Sequence, residues 1–171
     1  MLEFTPEQRE ALNALEEYAQ KTIESETARL REMIDIVNQA VDIRLANGHV
    51  ESTLNLASGE MEALAMKIPA ECLYLQSRLN QYNIQNTFRD LNLEAGMTVS
   101  LSGLVGMKGT AEERKRMAEF GLMDEKIQNA VNKLVVKGIE GCIARADKVY
   151  EGVKKVMDYR SREGWFDRKG D

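Results

Sequence analysis

The sequence predicts a mainly α protein, an elongated helical bundle built on two long helices, with a short irregular or strand-like segment near 97–109. Three observations carry this. Only 6% of the 171 residues are aromatic and two are proline, a composition that suits helices better than a sandwich or barrel. Apolar residues recur at three- and four-residue spacing over two long stretches. Capping signals and glycines stand where those stretches begin and end. At this length one domain with a sizeable core is expected, so residues 1–171 read as a single helical domain.

The first helix, about 6–46, is announced by Thr5-Pro6-Glu7-Gln8. This is a capping box, with proline at the first helical position, where its missing N–H costs nothing. Leu12, Leu15, Ala19, Ile23, Leu30, Met33, Val37 and Val41 form its stripe, and Asn47-Gly48 reads as its stop. About 40 residues of helix span roughly 60 Å. The stripe thins at Glu24-Ser25-Glu26-Thr27, where a bend or a solvent window is expected.

Residues 49–95 form a middle segment. VESTLNLA alternates as a strand would, and helix is expected after Ser58, a candidate N-cap. Pro69 should interrupt that helix. A third helix then runs through Cys72, Leu75, Leu79 and Tyr82 to Leu91, rich in the amides Gln76, Asn80, Gln81, Asn83, Gln85 and Asn86, until Glu94-Ala95-Gly96 closes it. A glycine loop covers 96–109, with Met97 to Leu101 alternating like a short strand. Thr110-Ala111-Glu112-Glu113 is a second capping box, opening a helix over about 110–120.

The last helix, about 124–160, has the most regular repeat. Val135, Ile139, Cys142, Ala146, Val149, Val153 and Val156 alternate by four and three, the spacing of a coiled-coil seam. Gly138, Gly141 and Gly152 each cost about 1 kcal/mol relative to alanine inside a helix, so they are read as crossing points of a neighbouring backbone. Two long helices of matching length suggest an antiparallel pair. Because the seam is narrow, a homo-oligomer is expected. Residues 161–171 form a tail.

Composition narrows the function classes. No run of about eighteen apolar residues occurs and MLEFTPEQRE lacks the features of a secretory signal, so a cytoplasmic protein with no membrane association is expected. Cys72 and Cys142 stand far apart with no histidine at metal spacing, and read as reduced and buried. Residues 1–107 carry 8 Lys+Arg against 16 Asp+Glu, and residues 108–171 carry 15 against 12. Neither balance is a nucleic-acid footprint, although the acidic first helix leaves nucleic-acid mimicry as a mirror idea.

Four places bear on function. The loop SLSGLVGMKGTAEER offers Gly106, Lys108, Gly109, Thr110 and Arg114 as an anion or nucleotide cradle at a helix start. Its spacing is not that of a P-loop, and Glu112 and Glu113 would repel an anion. The apolar Leu104, Val105 and Met107 suit contact with a partner better. His49, the only histidine, has no recognisable nucleophile beside it, and Glu24 and Asp35 lack the spacing of a bundle metal site, so neither catalysis, metal nor cofactor is expected. The C-terminal Arg162, Trp165 and Phe166 combine residue types enriched at binding hot spots.

ADKVYEGVKKVMDYRSREGWFDRKGD, residues 146–171, together with the acidic first helix, resembles in style the small helical accessory proteins of tailed bacteriophages. The resemblance implies an accessory role, such as blocking a host defence system or assisting phage replication. The expected function is therefore that of a non-enzymatic interaction protein that binds and inhibits a bacterial defence complex through Trp165, Phe166, Arg162, Leu104 and Met107. The alternative is a protein that sequesters a nucleotide at the 103–110 loop, at a subunit interface. Nucleic-acid binding is the weakest of the three.

Overall fold

The computed structural model describes residues 6–46 and 49–167, with the side chains of residues 7, 8, 43–53 and 163–167 outside that description. The fold is a mainly α helical bundle of four helices with one hairpin: α1 (Pro6–Ala40), β1 (Val41–Ala46), β2 (His49–Leu54), α2 (Ser58–Gly103), α3 (Ala111–Gly121) and α4 (Met123–Asp167). Thr5, the expected cap of α1, and Asn47-Gly48 lie outside the described residues.

The first helix ends at Ala40, not at 46. Val41-Asp42-Ile43-Arg44-Leu45-Ala46 alternates with a period of two, and β-branched residues favour a pleated strand over a helix. β1 and β2 pair antiparallel with Ala46 opposite His49, which leaves Asn47-Gly48 as the two-residue link. That dipeptide is the strongest short-range hairpin signal, and reading it as a helix stop hid the hairpin. A lone two-stranded ribbon is marginal in water. Here its end is tied down: the Asn55 N–H donates to the Ala40 carbonyl at 2.7 Å, and the Arg160 guanidinium donates to the Leu54 and Leu56 carbonyls at 2.7 and 2.8 Å.

The second correction concerns α2, a single helix of 46 residues. Ser58 is its first helical residue and not its cap. Ala57 takes the cap place, where its N–H donates to the Glu60 carboxylate at 2.9 Å and its carbonyl accepts from the Glu60 and Met61 N–H groups. Pro69 sits inside the helix without ending it. It removes one ladder bond and crowds the preceding turn, but Leu64, Ile68, Cys72 and Leu75 on either side are buried. Burial of several such side chains at about 1.5–3 kcal/mol each outweighs a local cost of about 3 kcal/mol. Glu94-Ala95-Gly96 does not close the helix either. Residues 97–103, expected to be extended, are its last turns, and only 104–110 are irregular. At Gly96 an added Cβ would stand 3.2 Å from a Leu122 methyl, so the glycine serves close packing inside a helix. At its far end α4 continues seven residues beyond the expected 160.

The chain divides into two compact units. Unit 1 holds residues 1–23 and 78–138, and unit 2 holds 24–77 and 139–171. Along the chain α1 and α4 pass from unit 1 into unit 2, and α2 passes back. The thin stretch 24–27 falls just past this boundary in α1, where the helix is continuous and Thr27 is buried.

The core of unit 2 is aliphatic: Leu30, Ile34, Val37, Met61, Leu64, Ile68, Leu75, Ile139, Ile143 and Val153 are buried with Leu54 of the hairpin. Cys72 and Cys142 are free and buried there. Burial, with Asp147, Cys142 and Glu71 adding to it, pushes the Cys72 thiol up to about 11, so it stays protonated and unreactive at neutral pH.

Unit 1 buries Ala19, Leu79, Ala118, Val131, Val135 and Val136, and with them two amides, Asn86 and Asn129. Here α2 and α4 run antiparallel, since Asp90 meets Asn129 and Lys133 while Gly96 meets Leu122 further along. The antiparallel neighbour of α4 in this unit is thus α2, where the sequence suggested α1. The α1 contact is at Gly138, whose added Cβ would lie 2.8 Å from Ile23 Cγ1. Gly138 is thus a point of close approach to α1, although what it meets is the Ile23 side chain and not the neighbouring backbone that was expected. Gly141 and Gly152 have open space around them, so they are not crossing points.

Candidate protein-binding surface

The most exposed large apolar side chain among the described residues, Phe120, lies in unit 1, in the segment 104–123. After α2 ends, the chain turns tightly. The N–H groups of Leu104, Val105 and Met107 donate to the carbonyls of Leu101, Ser102 and Leu104, each at 3.2 Å. Gly106 and Gly109 then take positive φ of 94° and 148°, which a side chain at either position would resist. Thr110 caps α3 through the full capping box: its Oγ1 accepts from the Glu113 N–H at 3.2 Å, and its N–H donates to the Glu113 carboxylate at 2.7 Å.

Helix α3 is anchored by Ala118 alone. Its Met117 and Phe120 point away from that anchor and are exposed, Phe120 at 83%. Val105, Met107 and Met123 on either side are exposed as well, while Leu104 and Leu122 are half-buried. Five large apolar side chains open to water within nineteen residues are costly to leave so unless something covers them. Around them charge is paired locally, Arg116 with Glu112 at 3.2 Å and Lys126 with Glu119 at 3.8 Å.

The sequence-expected site residues separate into groups. Leu104 and Met107 belong to the surface just described. Arg162 is exposed on α4 and belongs to unit 2. The backbone of Trp165 and Phe166 continues α4, and their side chains lie outside the described residues. The sequence points to Val105 along with Leu104 and Met107, but not to Met117, Phe120 and Met123, because an exposed α3 face is invisible until the helix is seen to have one anchor.

For an anion, Lys108 is exposed and Arg114 half-buried, but the Thr110 N–H, the donor a phosphate would use, already serves the Glu113 carboxylate. The capping box thus engages the N–H groups of Thr110 and Glu113 within the chain, two of the donors at the helix start. In the seam, Val135, Ile139, Cys142, Ala146 and Val153 are buried by the chain itself, and Val149 and Val156 half-buried. Val131, Val136 and Ile143 are buried beside them.

Elsewhere, His49 is in β2 with its side chain outside the described residues, and Glu24 and Asp35 are exposed. Among the described residues no group of three or more His, Cys, Asp or Glu is placed to hold a metal ion. No described helix is long and apolar enough to cross a membrane. A groove of about 500 Å³ in unit 2 is lined by the apolar Met33, Ile36 and Leu64, by Arg29 and Lys67, and by Glu32, Glu60 and Glu71. In unit 1 a polar layer joins α2 to α4: the Asp90 carboxylate accepts from Asn129 Nδ2 at 2.5 Å and from Lys133 Nζ at 2.9 Å. These two hydrogen bonds hold the Asp90 carboxyl below its usual range. The buried Oδ1 atoms of Asn86 and Asn129 have no partner. No protein-family model, curated protein or solved structure matches the chain.

Proposed function

We propose that this is a non-enzymatic, cytoplasmic interaction protein that binds another protein through the apolar surface of residues 104–123. The single observation that supports this most directly is Phe120, a large apolar side chain almost wholly in water at the C-terminal end of α3. Aromatic residues in such settings are typical anchors of interfaces, where one or two side chains carry most of the affinity. An apolar contact carries such binding, so it should depend little on salt. The likeness of residues 146–171 to phage accessory proteins directs the search to bacterial defence complexes, with inhibition as the outcome of binding.

The test is quantitative capture from a bacterial lysate with the wild-type chain and with Phe120→Asp, each checked for unchanged helical content. Proteins held by the wild type and lost with Phe120→Asp support the reading. Equal capture by both, or none by either, ends it. The nucleotide alternative is read in parallel by thermal shift: a ligand at 100 times its dissociation constant adds about 2.7 kcal/mol, and on the protein-binding reading nucleotides add nothing.

A further inference from the structure

We propose that the outer face of α2 in unit 1 is a two-fold, antiparallel self-association seam, taking a second copy of this chain. This goes beyond the reading above and concerns a different surface. Between residues 78 and 103 one face of α2 packs inward, through Leu79, Asn86 and the half-buried Leu93 and Met97. On the opposite face Ile84, Phe88, Leu91 and Val99 are 58%, 63%, 55% and 69% exposed, and Ala95 is exposed among them. Their spacing of four, three, four and four is that of a helix-pairing stripe. The α4 seam that suggested an oligomer is largely covered within the chain, whereas this stripe of α2 is open.

Three features select a twin as the occupant. First, the stripe has a size palindrome about the point between Leu91 and Asn92. Laid antiparallel on itself, bulky Phe88 meets small Ala95, Ile84 meets Val99, and Gln81 meets Ser102. A self-complementary patch of this kind is what a two-fold interface requires. Second, the positions on this face, 81, 84, 85, 88, 91, 92, 95, 98, 99 and 102, carry no charge in a chain that is 30% charged. A charged partner would find nothing to pair with, and a copy meets no repulsion. Third, the polar groups suit each other. Asn92 faces its twin across the axis, and an amide both donates and accepts. Gln81 Oε1 already accepts from Arg78 at 3.1 Å, leaving its NH₂ to donate. The Ser102 hydroxyl donates to the Val99 carbonyl at 2.8 Å, leaving its lone pairs to accept.

The stripe from 81 to 102 is about 33 Å long. A single helix pair of that length falls short of the roughly 800 Å² per partner of a stable interface, so the dimer forms and dissociates with concentration. Sedimentation of the full chain should show the mass rising from 19.3 kDa toward twice that value on concentration. Phe88→Glu should hold it at the monomer mass with unchanged circular dichroism, while Phe120→Asp leaves the rise intact.

Register is read by cysteine. Leu91→Cys lies beside the axis and should form a disulfide with its twin on mild oxidation. Gln81→Cys should not, since the two copies of residue 81 stand about 30 Å apart. The native Cys72 and Cys142 are buried and give a low background. A monomer at every concentration, a dimer indifferent to Phe88→Glu, or cross-linking at Gln81→Cys as fast as at Leu91→Cys would overturn the proposal. Loss of lysate capture by Phe120→Asp with the mass rise retained separates this interface from the proposed partner surface.

Discussion

Unit 2 and unit 1 are built from stretches of the same three long helices, yet they treat apolar surface differently. Unit 2 buries a continuous aliphatic set and closes it with a hairpin fastened by Arg160. Unit 1 buries few large side chains, adds two amides whose oxygens have no partner, and leaves open twice as many of the exposed large hydrophobics among the described residues. Amphipathic helices are stable when one stripe is covered. In unit 1 the helices α2 and α3 carry a second apolar face each, which a single copy of the chain does not cover. Stability is thus concentrated in one unit and surface for association in the other.

The largest test of this contrast is a pair of leucines. Leu75, wholly buried in unit 2, should cost about 2–5 kcal/mol when changed to alanine, whereas Leu134, half exposed in unit 1, should change stability by no more than about 0.5 kcal/mol. Equal losses in urea unfolding would break the comparison.

A pair of glycines comes next. Gly138→Ala must displace the stiff, branched Ile23 side chain, an overpacking cost of about 1–3 kcal/mol set against a gain of about 1 kcal/mol in helix propensity. A net loss is expected. Gly141→Ala meets nothing and should raise the thermal midpoint, by up to about 1 kcal/mol of stability. Opposite signs from alanines three residues apart would sharpen the assignment of one crossing point.

Asn86→Leu replaces a buried amide whose oxygen is unsatisfied, so unit 1 should gain about 1 kcal/mol, measured as slower hydrogen exchange in α2 around residue 86. A loss would mean that the amide serves a partner inside the layer.

The smallest effect follows pH. The folded-state pKa of Asp90 lies below its unfolded value, so its contribution is fully present above the ordinary carboxylate range and is lost as pH falls through the folded value. The stability difference between wild type and Asp90→Asn should narrow on going from neutral pH to about pH 3. It should also weaken with salt, because both charges of the pair are half exposed. A difference independent of pH would show that packing and not charge joins α2 to α4 there.

The errors of sequence reading have specific causes. Helical spacing carried α1 too far because Val41 continues its stripe, while Asn47-Gly48 was read in one of its two senses. The third rod, α2, was cut into pieces by Pro69 and by Glu94-Ala95-Gly96, since local rules weigh a proline or glycine without knowing what is buried around it. Ile84 and Phe88 lie off the stripe of Cys72, Leu75 and Leu79 and begin a second one, on the opposite side of the helix. Of the candidate surface, Leu104, Val105 and Met107 were legible from apolar residues set among glycines. Phe120 was not, because an apolar residue near a helix end reads equally well as core.

By itself the sequence determined the helical class, the start of α3 through its capping box, the buried run from Val135 to Val153 and the free, buried cysteines. These depend on propensity, capping and periodicity, which act within a few turns of chain. Tertiary structure alone decided that α2 runs unbroken through Pro69, that α2 and not α1 lies antiparallel to α4 in unit 1, and which apolar stripes stay open. Those outcomes depend on whether surface burial elsewhere repays a local cost, and that sum is taken over residues far apart in the chain.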